Sequence, residues 1–206
     1  MTSALLEQLY TTWAWAYDWV AAVVSLGEWT DWGRCALRFV PPTARVLEIG
    51  HGPGHLYLDL RSRGHWIVGV DRSWQMARRL RQHALHAGFG APHNVQADAR
   101  ALPFAAQCFD AVIWTFPTSA IFDAATLTAI RRVLRPNGVC VLVLSAELRG
   151  KSLGASAVRA LYRVTGQAQL DQHAVMQCFA ASGFATRHHI VPTQRAFVSV
   201  WVLTPQ

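Results

Sequence analysis

The chain has 206 residues, of which 52% are apolar and 15% are charged. These proportions are typical of a globular domain with a buried core and exclude an intrinsically disordered chain. No apolar stretch approaches the ~20 residues that a membrane-spanning helix needs. The N-terminus has neither the basic start nor the cleavage site of a signal peptide. We therefore expect a cytoplasmic protein.

The formal net charge is +7, and nearly all of the basic residues are arginines. Such a surface could meet nucleic acid, an anionic membrane or an anionic substrate, or could simply keep the protein in solution. The cysteines are far apart and form no CxxC pair, which argues against a zinc site and against a disulfide framework. We expect buried free thiols at Cys35, Cys108, Cys140 and Cys178.

The first 42 residues differ from the rest of the chain. Apolar side chains recur at helical spacing from Leu6 to Val24, which predicts a long amphipathic helix. Residues 31–40 predict a second helix that ends before Pro41. We expect residues 1–42 to form a helical cap on a core at 43–206, both within a single domain at 1–206.

From Arg45 onward, short apolar runs alternate with helical patterns. This alternation predicts an α/β fold with a Rossmann-like, doubly wound sheet of seven strands that is mostly parallel. The last two strands have no helix between them and must form a hairpin around Pro192, which makes one strand antiparallel. Strands are predicted at 45–49, 66–71, 94–98, 109–114, 139–145, 185–191 and 196–203, and helices at 54–64, 73–88, 123–138 and 171–184.

A glycine motif, EIGHGPGH at residues 48–55, follows the first predicted strand. Its glycines alternate as G-x-G-x-G, whereas dinucleotide-binding loops use G-x-G-x-x-G and phosphate loops carry G-K-[ST]. Glu48 at the end of the strand would repel a pyrophosphate and attract a cation. A ligand with an ammonium and a sulfonium therefore fits this loop better than a nucleotide phosphate.

Three later features support a nucleoside-containing ligand. Asp71 ends the second predicted strand, where a carboxylate can accept hydrogen bonds from both ribose hydroxyls. Asp98 follows the third predicted strand, where it could meet an adenine amino group. The segment LRPNG precedes the fifth predicted strand. Each feature is commonplace alone, but their order and spacing together make a strong combination.

These segments resemble the class I S-adenosylmethionine-dependent methyltransferases over about residues 44–145. The resemblance rests on VLEIGHGPGHL (46–56), VGVDRS (68–73), ADARALPF (97–104), FDAVIW (109–114) and LRPNGVCVLV (134–143). Within that superfamily, the chain resembles the compact branch that contains the quinone-biosynthesis C-methyltransferases and the bacterial phosphatidylethanolamine N-methyltransferases. Residues 17–34 are more distantly similar to the "YD" helix of the quinone enzymes.

The resemblance implies S-adenosyl-L-methionine as cofactor and S-adenosyl-L-homocysteine as product. Glu48 would set the loop and the methionine amino group, Asp71 would hold the ribose, and Asp98 would read the adenine edge. The glycines would let the backbone wrap the methionyl tail. The implied cofactor-binding residues are Glu48, Gly50, His51, Gly52, Gly54, Asp71, Arg72, Met76, Asp98, Ala99, Thr115 and Phe116.

The acceptor is less clearly indicated. The segment TFPT at 115–118 differs from the [N/D]-P-P-[Y/F] motif of enzymes that methylate bases or glutamine. No counterpart of the carboxylates that bind metal in catecholate-type methyltransferases is found, so we expect no metal. His188 and His189 should point to opposite faces of a strand, which argues against a paired role as metal ligands. The candidate substrate pocket is formed by Tyr10, Trp13, Tyr17 and Trp114.

Two residues are candidate catalytic groups, Tyr17 and His51. Tyr17 lies on the predicted N-terminal helix, which should cover the substrate side of the sheet. His51 lies in the glycine loop, either lining the acceptor pocket as a proton acceptor or stabilising the loop through a hydrogen bond. His55 should begin the helix that follows the loop.

We therefore expect a methyltransferase that acts on a lipid-like acceptor, either a phospholipid amine headgroup such as phosphatidylethanolamine or a quinone ring. An aromatic helix on a basic domain would suit contact with an anionic bilayer, at the inner membrane face. A soluble metabolite is the alternative acceptor. An RNA methyltransferase and a non-catalytic cofactor-binding protein are less supported, and we expect no nucleic-acid partner.

Overall fold

The structure is a computed structural model that describes residues 28–149 and 171–206. Its strands are β1 (Arg45–Ile49), β2 (Trp66–Asp71), β3 (Asn94–Gln96), β4 (Phe109–Thr115), β5 (Leu134–Leu148), β6 (Phe184–Pro192) and β7 (Ala196–Pro205). Its α-helices are α1 (Trp29–Arg34), α2 (His55–Ser62), α3 (Trp74–His86), α4 (Ala124–Val133) and α5 (Gln172–Ala181). Short 3₁₀ helices occupy Cys35–Phe39, Ala99–Ala101 and Ser119–Phe122.

The strands form one seven-stranded sheet in the order β3-β2-β1-β4-β5-β7-β6. All neighbours from β3 to β5 pair in parallel, and β7 pairs antiparallel with both β5 and β6. The predicted fold class is confirmed, including the C-terminal hairpin. The bounds of β1 and β2 agree with the predicted strands.

Helices cover the sheet on both faces. Trp32 of α1, Tyr57 of α2 and Leu80 of α3 are buried on one face, which we call the loop face. Leu127 of α4 and Phe179 of α5 are buried on the other face. Because β1 and β2 are covered on both sides, most of their residues are buried, and the buried side chains are apolar except for Glu48.

The helices begin where the sequence provides caps. The Ser73 hydroxyl accepts a hydrogen bond from the Met76 amide at 3.3 Å at the start of α3. Asp123 and Asp171 accept from backbone amides two residues ahead at the starts of α4 and α5. Such caps satisfy amides that have no partner within the helix. Helix α2 begins at His55, as predicted.

Several predicted boundaries differ from the structure, and two of the differences have a clear physical reason. The helix predicted at 123–138 ends at Val133, because Leu134 already pairs with Phe109 as the first residue of β5. Arg135 therefore lies in a strand, where it forms an ion pair with Asp110. Pro192 is the last residue of β6 and not the centre of a turn, and the Thr193 amide closes the hairpin onto the Ala196 carbonyl at 2.8 Å.

The remaining sequence predictions concern the cysteines, the histidine pair on β6 and the N-terminal helix. The four cysteines are free, as expected, but only Cys35 and Cys140 are buried, whereas Cys108 and Cys178 are partly exposed. His188 stacks on Trp201 and His189 packs beside Phe39, on opposite faces of β6 as expected. The predicted helix with Tyr10, Trp13 and Tyr17 lies outside the described residues. No helix within the described ranges is long and apolar enough to cross a membrane.

Candidate functional site

The glycine loop lies where the carboxyl ends of β1, β2 and β4 meet. The amides of Gly50 and His51 donate to the Val70 carbonyl of β2, at 2.7 and 3.3 Å. In open α/β sheets, ligands bind outside the carboxyl ends of the strands, where neighbouring connections diverge. The loop is therefore held in position by the strand that carries Asp71 at its end.

Asp71 connects the loop to the start of α3. One carboxylate oxygen accepts from the Gly52 amide at 3.0 Å, and the other accepts from the Ser73 amide at 2.8 Å. A carboxylate has about four lone-pair positions, so acceptor capacity remains for two ribose hydroxyls. Gly52 has a φ of +52°, and a Cβ there would meet no atom within 4 Å. The loop thus leaves open space beside a carboxylate.

Glu48 lies beneath the loop and is only 2% exposed. Its Oε2 atom has no hydrogen-bond partner among the described residues. Burial raises the pKa of the Glu48 carboxyl well above its usual range, and the carboxylates of Asp71 and Asp59 raise it further. An unpaired buried carboxyl is costly, and an ammonium group brought close to it would lower that cost.

His51 is 4% exposed and turns its ring inward. Its Nδ1 lies 2.8 Å from the Gly52 carbonyl oxygen, while Nε2 is buried without a partner in the described part of the chain. Burial lowers the pKa of the imidazole, and Asp71 and the Gly52 carbonyl act in the opposite direction. The bond to Gly52 is of the loop-stabilising kind. A role as proton acceptor stays a prediction.

Asp98 is tied to two arginines at the end of β3. Arg100 donates to both of its carboxylate oxygens at 2.9 and 2.7 Å, and Arg72 lies 3.8 Å away. These hydrogen bonds from Arg100 lower the pKa of Asp98 to about 2. The carboxylate is therefore ionised, and it sits across from Asp71 because β2 and β3 are neighbours.

Several predicted site residues are buried. Met76 is 3% exposed on α3, and Ala99 is enclosed in the core of the face opposite the loop. The Trp114 ring belongs to that same core and touches Gly50, whose Cβ would lie 3.1 Å from the indole nitrogen. Gly54 packs its backbone against Leu80. Trp114 and Leu80 thus pack against two glycines of the loop.

An aromatic cluster follows β4, and of its three members the sequence analysis named only Phe116, as a cofactor-binding residue. The Trp29 and Phe116 rings stack with centroids 4.0 Å apart, and Trp32 lies behind both. Phe116 has a φ of +50°, an uncommon conformation for a residue with a side chain, and its amide donates to the Val143 carbonyl at 2.7 Å. Two tryptophans three residues apart on α1 were the available signal.

Glu28 anchors this cluster. Its buried carboxylate accepts hydrogen bonds from the Trp32 indole at 3.1 Å and from the Thr193 hydroxyl at 3.2 Å. Helix α1 also packs on β4, where a Cβ at Gly33 would lie 3.8 Å from the Thr115 methyl group. Helix α1 is thus fixed between the β6–β7 turn and the end of β4.

Two cavities within the described ranges lie away from the loop. One, of about 340 Å³, lies between the 3₁₀ helix after β3 and α4, and the other, of about 320 Å³, lies between α1 and the β6–β7 turn. We place the site at the strand ends instead, because the acidic side chains and the open glycine backbone are there. No group of three metal-binding side chains occurs in residues 28–149 and 171–206.

The loop residues fit S-adenosylmethionine. The unpaired Oε2 of Glu48 could meet the methionine ammonium, and Asp71 has acceptor capacity left for the ribose. The open backbone at Gly52 admits a methionyl chain. Two acidic positions and a glycine at positive φ are therefore matched to three parts of one molecule.

The fold is shared with solved methyltransferases, and part of the sequence matches a methyltransferase family. Residues 46–138 match the family described as "Methyltransferase domain". This match covers 93 of the 206 residues. Solved structures agree at the level of the fold. A SAM-dependent methyltransferase from Methanosarcina mazei superposes with a TM-score of 0.59 and 17% identity over 83% of this chain and 97% of that one. A SAM-dependent methyltransferase from Aquifex aeolicus superposes with a TM-score of 0.59 and is 13% identical, over 84% of this chain and 89% of that chain.

Sequence relatives are quinone enzymes. Demethylmenaquinone methyltransferase from Mycobacterium sp. (strain KMS) is 35% identical over 61% of this chain and 53% of its own length. Ubiquinone/menaquinone biosynthesis C-methyltransferase UbiE from Geotalea daltonii is 28% identical over 67% and 62%. The chain spans about half to three fifths of the length of these relatives.

Proposed function

We propose that the chain transfers a methyl group from S-adenosylmethionine to a lipid-like acceptor that carries a quinone-type ring. One observation supports methyl transfer from this cofactor. The site combines a glycine loop that Asp71 holds in place with a buried Glu48 carboxyl whose Oε2 has no hydrogen-bond partner among the described residues. This arrangement is matched to a cationic nucleoside, within a family whose members share this fold. The ring acceptor rests on two further observations.

The first is the aromatic cluster at the end of β4. A flat ring can stack on Trp29, which is half-buried and already pairs with Phe116. Offset aromatic stacking favours planar acceptors over branched ones. The second is that the matched relatives are named as quinone-biosynthesis methyltransferases. Together they favour a ring carbon over the amine of a phospholipid headgroup.

The residues of this chain contribute mainly by positioning. When bound, S-adenosylmethionine supplies an activated methyl group on a sulfonium. Asp71 and Gly52 hold the nucleoside side and Glu48 the methionine side, so that the methyl group faces the end of β4. The aromatic cluster excludes water and holds the acceptor in line, and alignment of this kind accounts for much of the rate in group transfer.

We assign proton removal from the acceptor to the two candidate catalytic residues, His51 and Tyr17. His51 is held uncharged by burial, which lowers its pKa, and an uncharged imidazole can accept a proton. Tyr17, Tyr10 and Trp13 lie outside the described residues and complete the proposed pocket from the N-terminal side. The proposal includes a cytoplasmic location with contact at the inner membrane face.

Product analysis tests this proposal. The full chain is incubated with S-adenosylmethionine carrying a deuterated methyl group and a bacterial lipid extract, and the products are resolved by mass spectrometry. We expect the labelled methyl group on a quinone-type ring. Label on phosphatidylethanolamine would assign the other lipid acceptor, and label only on water-soluble metabolites or on none would contradict the proposal. Asp71→Ala is the background control.

A further inference from the structure

One line of exposed side chains runs along helix α3. It consists of Trp74, Arg78, Arg81 and Leu85, which we call the α3 stripe. At 3.6 residues per turn these four positions fall within about 60° around the helix axis. The opposite side of α3 carries Met76, Leu80 and Ala84 in the core, so the stripe points away from the protein.

The apolar members of the stripe are exposed to an unusual degree. Trp74 is 61% exposed and Leu85 is 52% exposed. Trp74 is the most exposed of the large apolar side chains in the described ranges. A single exposed apolar side chain is normal on a soluble protein, but two at the ends of one basic line form a pattern.

The stripe carries positive charge without compensation on its own helix. Helix α3 contains three arginines and no acidic residue. Within the described ranges, neither Arg78 nor Arg81 forms an ion pair, and both are exposed. Asp59 on the neighbouring α2 is bound by Arg34 at 2.6 Å, and Asp98 is bound by Arg100. Among the described residues, the exposed charges that remain without an ion pair beside α3 are therefore the positive charges of the stripe.

We propose that the α3 stripe docks on an anionic phospholipid surface. Arginine guanidinium groups bind lipid phosphates, a tryptophan ring prefers the level of the headgroups, and a leucine enters the acyl boundary. The phosphate backbone of a nucleic acid could also bind the two arginines, but it offers no partner for Leu85. Leu85 has no role in that contact, and its alignment with the arginines favours lipid.

The position of the stripe relates it to the candidate site. Trp74 is the first residue of α3 and follows Asp71 by three residues, so this end of the stripe lies at the edge of the sheet that carries the glycine loop. Docking through the stripe would place that edge beside the bilayer. This inference deepens the proposed function, because an acceptor in the bilayer would then be supplied next to the cofactor.

Vesicle binding by the full chain tests the stripe without any assay of methyl transfer. The probes are phosphatidylcholine vesicles with and without phosphatidylglycerol, at low and high salt, with bound protein measured by sedimentation. We expect binding that requires phosphatidylglycerol and falls with salt. Arg78→Gln combined with Arg81→Gln should weaken it by about 10- to 30-fold, the scale of two basic side chains at an anionic surface.

A second variant isolates the apolar contribution, and a third is the matched control. Trp74→Ser with Leu85→Ser should weaken binding while leaving its salt dependence in place. Arg187→Gln with Ile190→Ser changes an exposed arginine and an exposed apolar residue on β6, at the far edge of the sheet, and should leave binding unchanged. All variants alter exposed positions, and circular dichroism checks that each is folded.

Three outcomes would overturn the inference. The first is no preference for vesicles with phosphatidylglycerol. The second is anionic binding that the stripe variants leave intact, because the contact would then lie elsewhere on the chain. The third is salt-sensitive binding to RNA at concentrations where vesicles are not bound. None of these outcomes bears on whether the chain transfers a methyl group, since the lipid-extract assay measures that separately.

Discussion

The imidazole of His51 fills the space that a side chain on Gly69 would need. A Cβ built on Gly69 would lie 2.7 Å from Cδ2 of the His51 ring and 3.2 Å from its Cγ. Gly69 is in the middle of β2, paired with Glu48 of β1. The absence of a side chain in one strand thus allows a buried histidine in the loop of its neighbour.

Replacement of Gly69 by alanine should therefore displace His51 and loosen the loop. We expect Gly69→Ala to lower the free energy of unfolding by about 1–3 kcal/mol, the usual cost of overpacking. It should also weaken the binding of S-adenosylhomocysteine, because His51 holds the Gly52 carbonyl. Urea denaturation and isothermal titration calorimetry measure the two effects.

Two variants complete this test. Gly33→Ala adds the same methyl group where it would make only an ordinary 3.8 Å contact with Thr115, and it should cost little. His51→Ala removes the ring, so adding Gly69→Ala to it should cost much less than Gly69→Ala alone. Additive effects in this double-mutant cycle would show that the two residues do not interact as described.

Asp71 should be the main determinant of cofactor affinity. It accepts amide hydrogen bonds from Gly52 and Ser73 and retains capacity for a ribose. We expect Asp71→Ala to weaken S-adenosylhomocysteine binding by about 1–3 kcal/mol, measured by calorimetry. Asp171→Ala removes a comparable bond to an amide two residues ahead at the start of α5 and should leave binding unchanged. Equal affinities for both variants would contradict the placement of the ribose.

Glu48 should make stability depend on pH in a defined direction. Because burial raises the pKa of its carboxyl, the folded chain keeps a proton that the unfolded chain has released. The free energy of unfolding contributed by this group is therefore greatest at low pH and falls as pH rises above the ordinary range of a glutamate. Glu48→Gln should abolish this decline and gain stability relative to the wild type as the pH rises above the ordinary range of a glutamate.

Urea denaturation at several pH values measures that difference. Glu147→Gln removes a glutamate at an exposed position of β5 and controls for the change of net charge. If the difference between wild type and Glu48→Gln does not change with pH, Glu48 is not the buried, protonated group described here.

Trp29 should affect the acceptor and not the cofactor. It stacks on Phe116 at the end of β4, beyond the loop that we propose holds the nucleoside. With the acceptor found by product analysis, Trp29→Ala should raise the KM for the acceptor by roughly two- to tenfold, the scale of one aromatic stack. The KM for S-adenosylmethionine should stay unchanged. Trp66→Ala, at the opposite end of the sheet, is the matched control; an equal effect there would remove Trp29 from the pocket.

Much of the fold follows from local sequence. The runs at 45–49 and 66–71 are apolar, bounded by polar residues and short, and the structure has β1 and β2 at those bounds. The caps at Ser73, Asp123 and Asp171 are likewise local, because each side chain accepts from an amide two or three residues away. Features decided over such short distances are the ones a sequence pattern displays.

Features decided by strand pairing were not readable in this way. The end of α4 was predicted wrongly because residues 123–134 continue a helical pattern, while the pairing of Leu134 with Phe109 depends on a segment 25 residues earlier. The inward turn of His51 depends on Gly69, and the stack of Trp29 on Phe116 depends on how α1 packs. Each needs the register of the sheet, which no local pattern contains.

The order of the last two strands has a consequence for biosynthesis. β6 leaves the ribosome before β7, yet β7 lies between β5 and β6 and pairs with both. β6 therefore has no place in the sheet until Ala196–Pro205 has been made. In the interval the edge of β5 is unpaired, and such an edge is a template for aggregation. Slow translation of these residues should therefore lower the yield of folded protein, although none of them belongs to the candidate site.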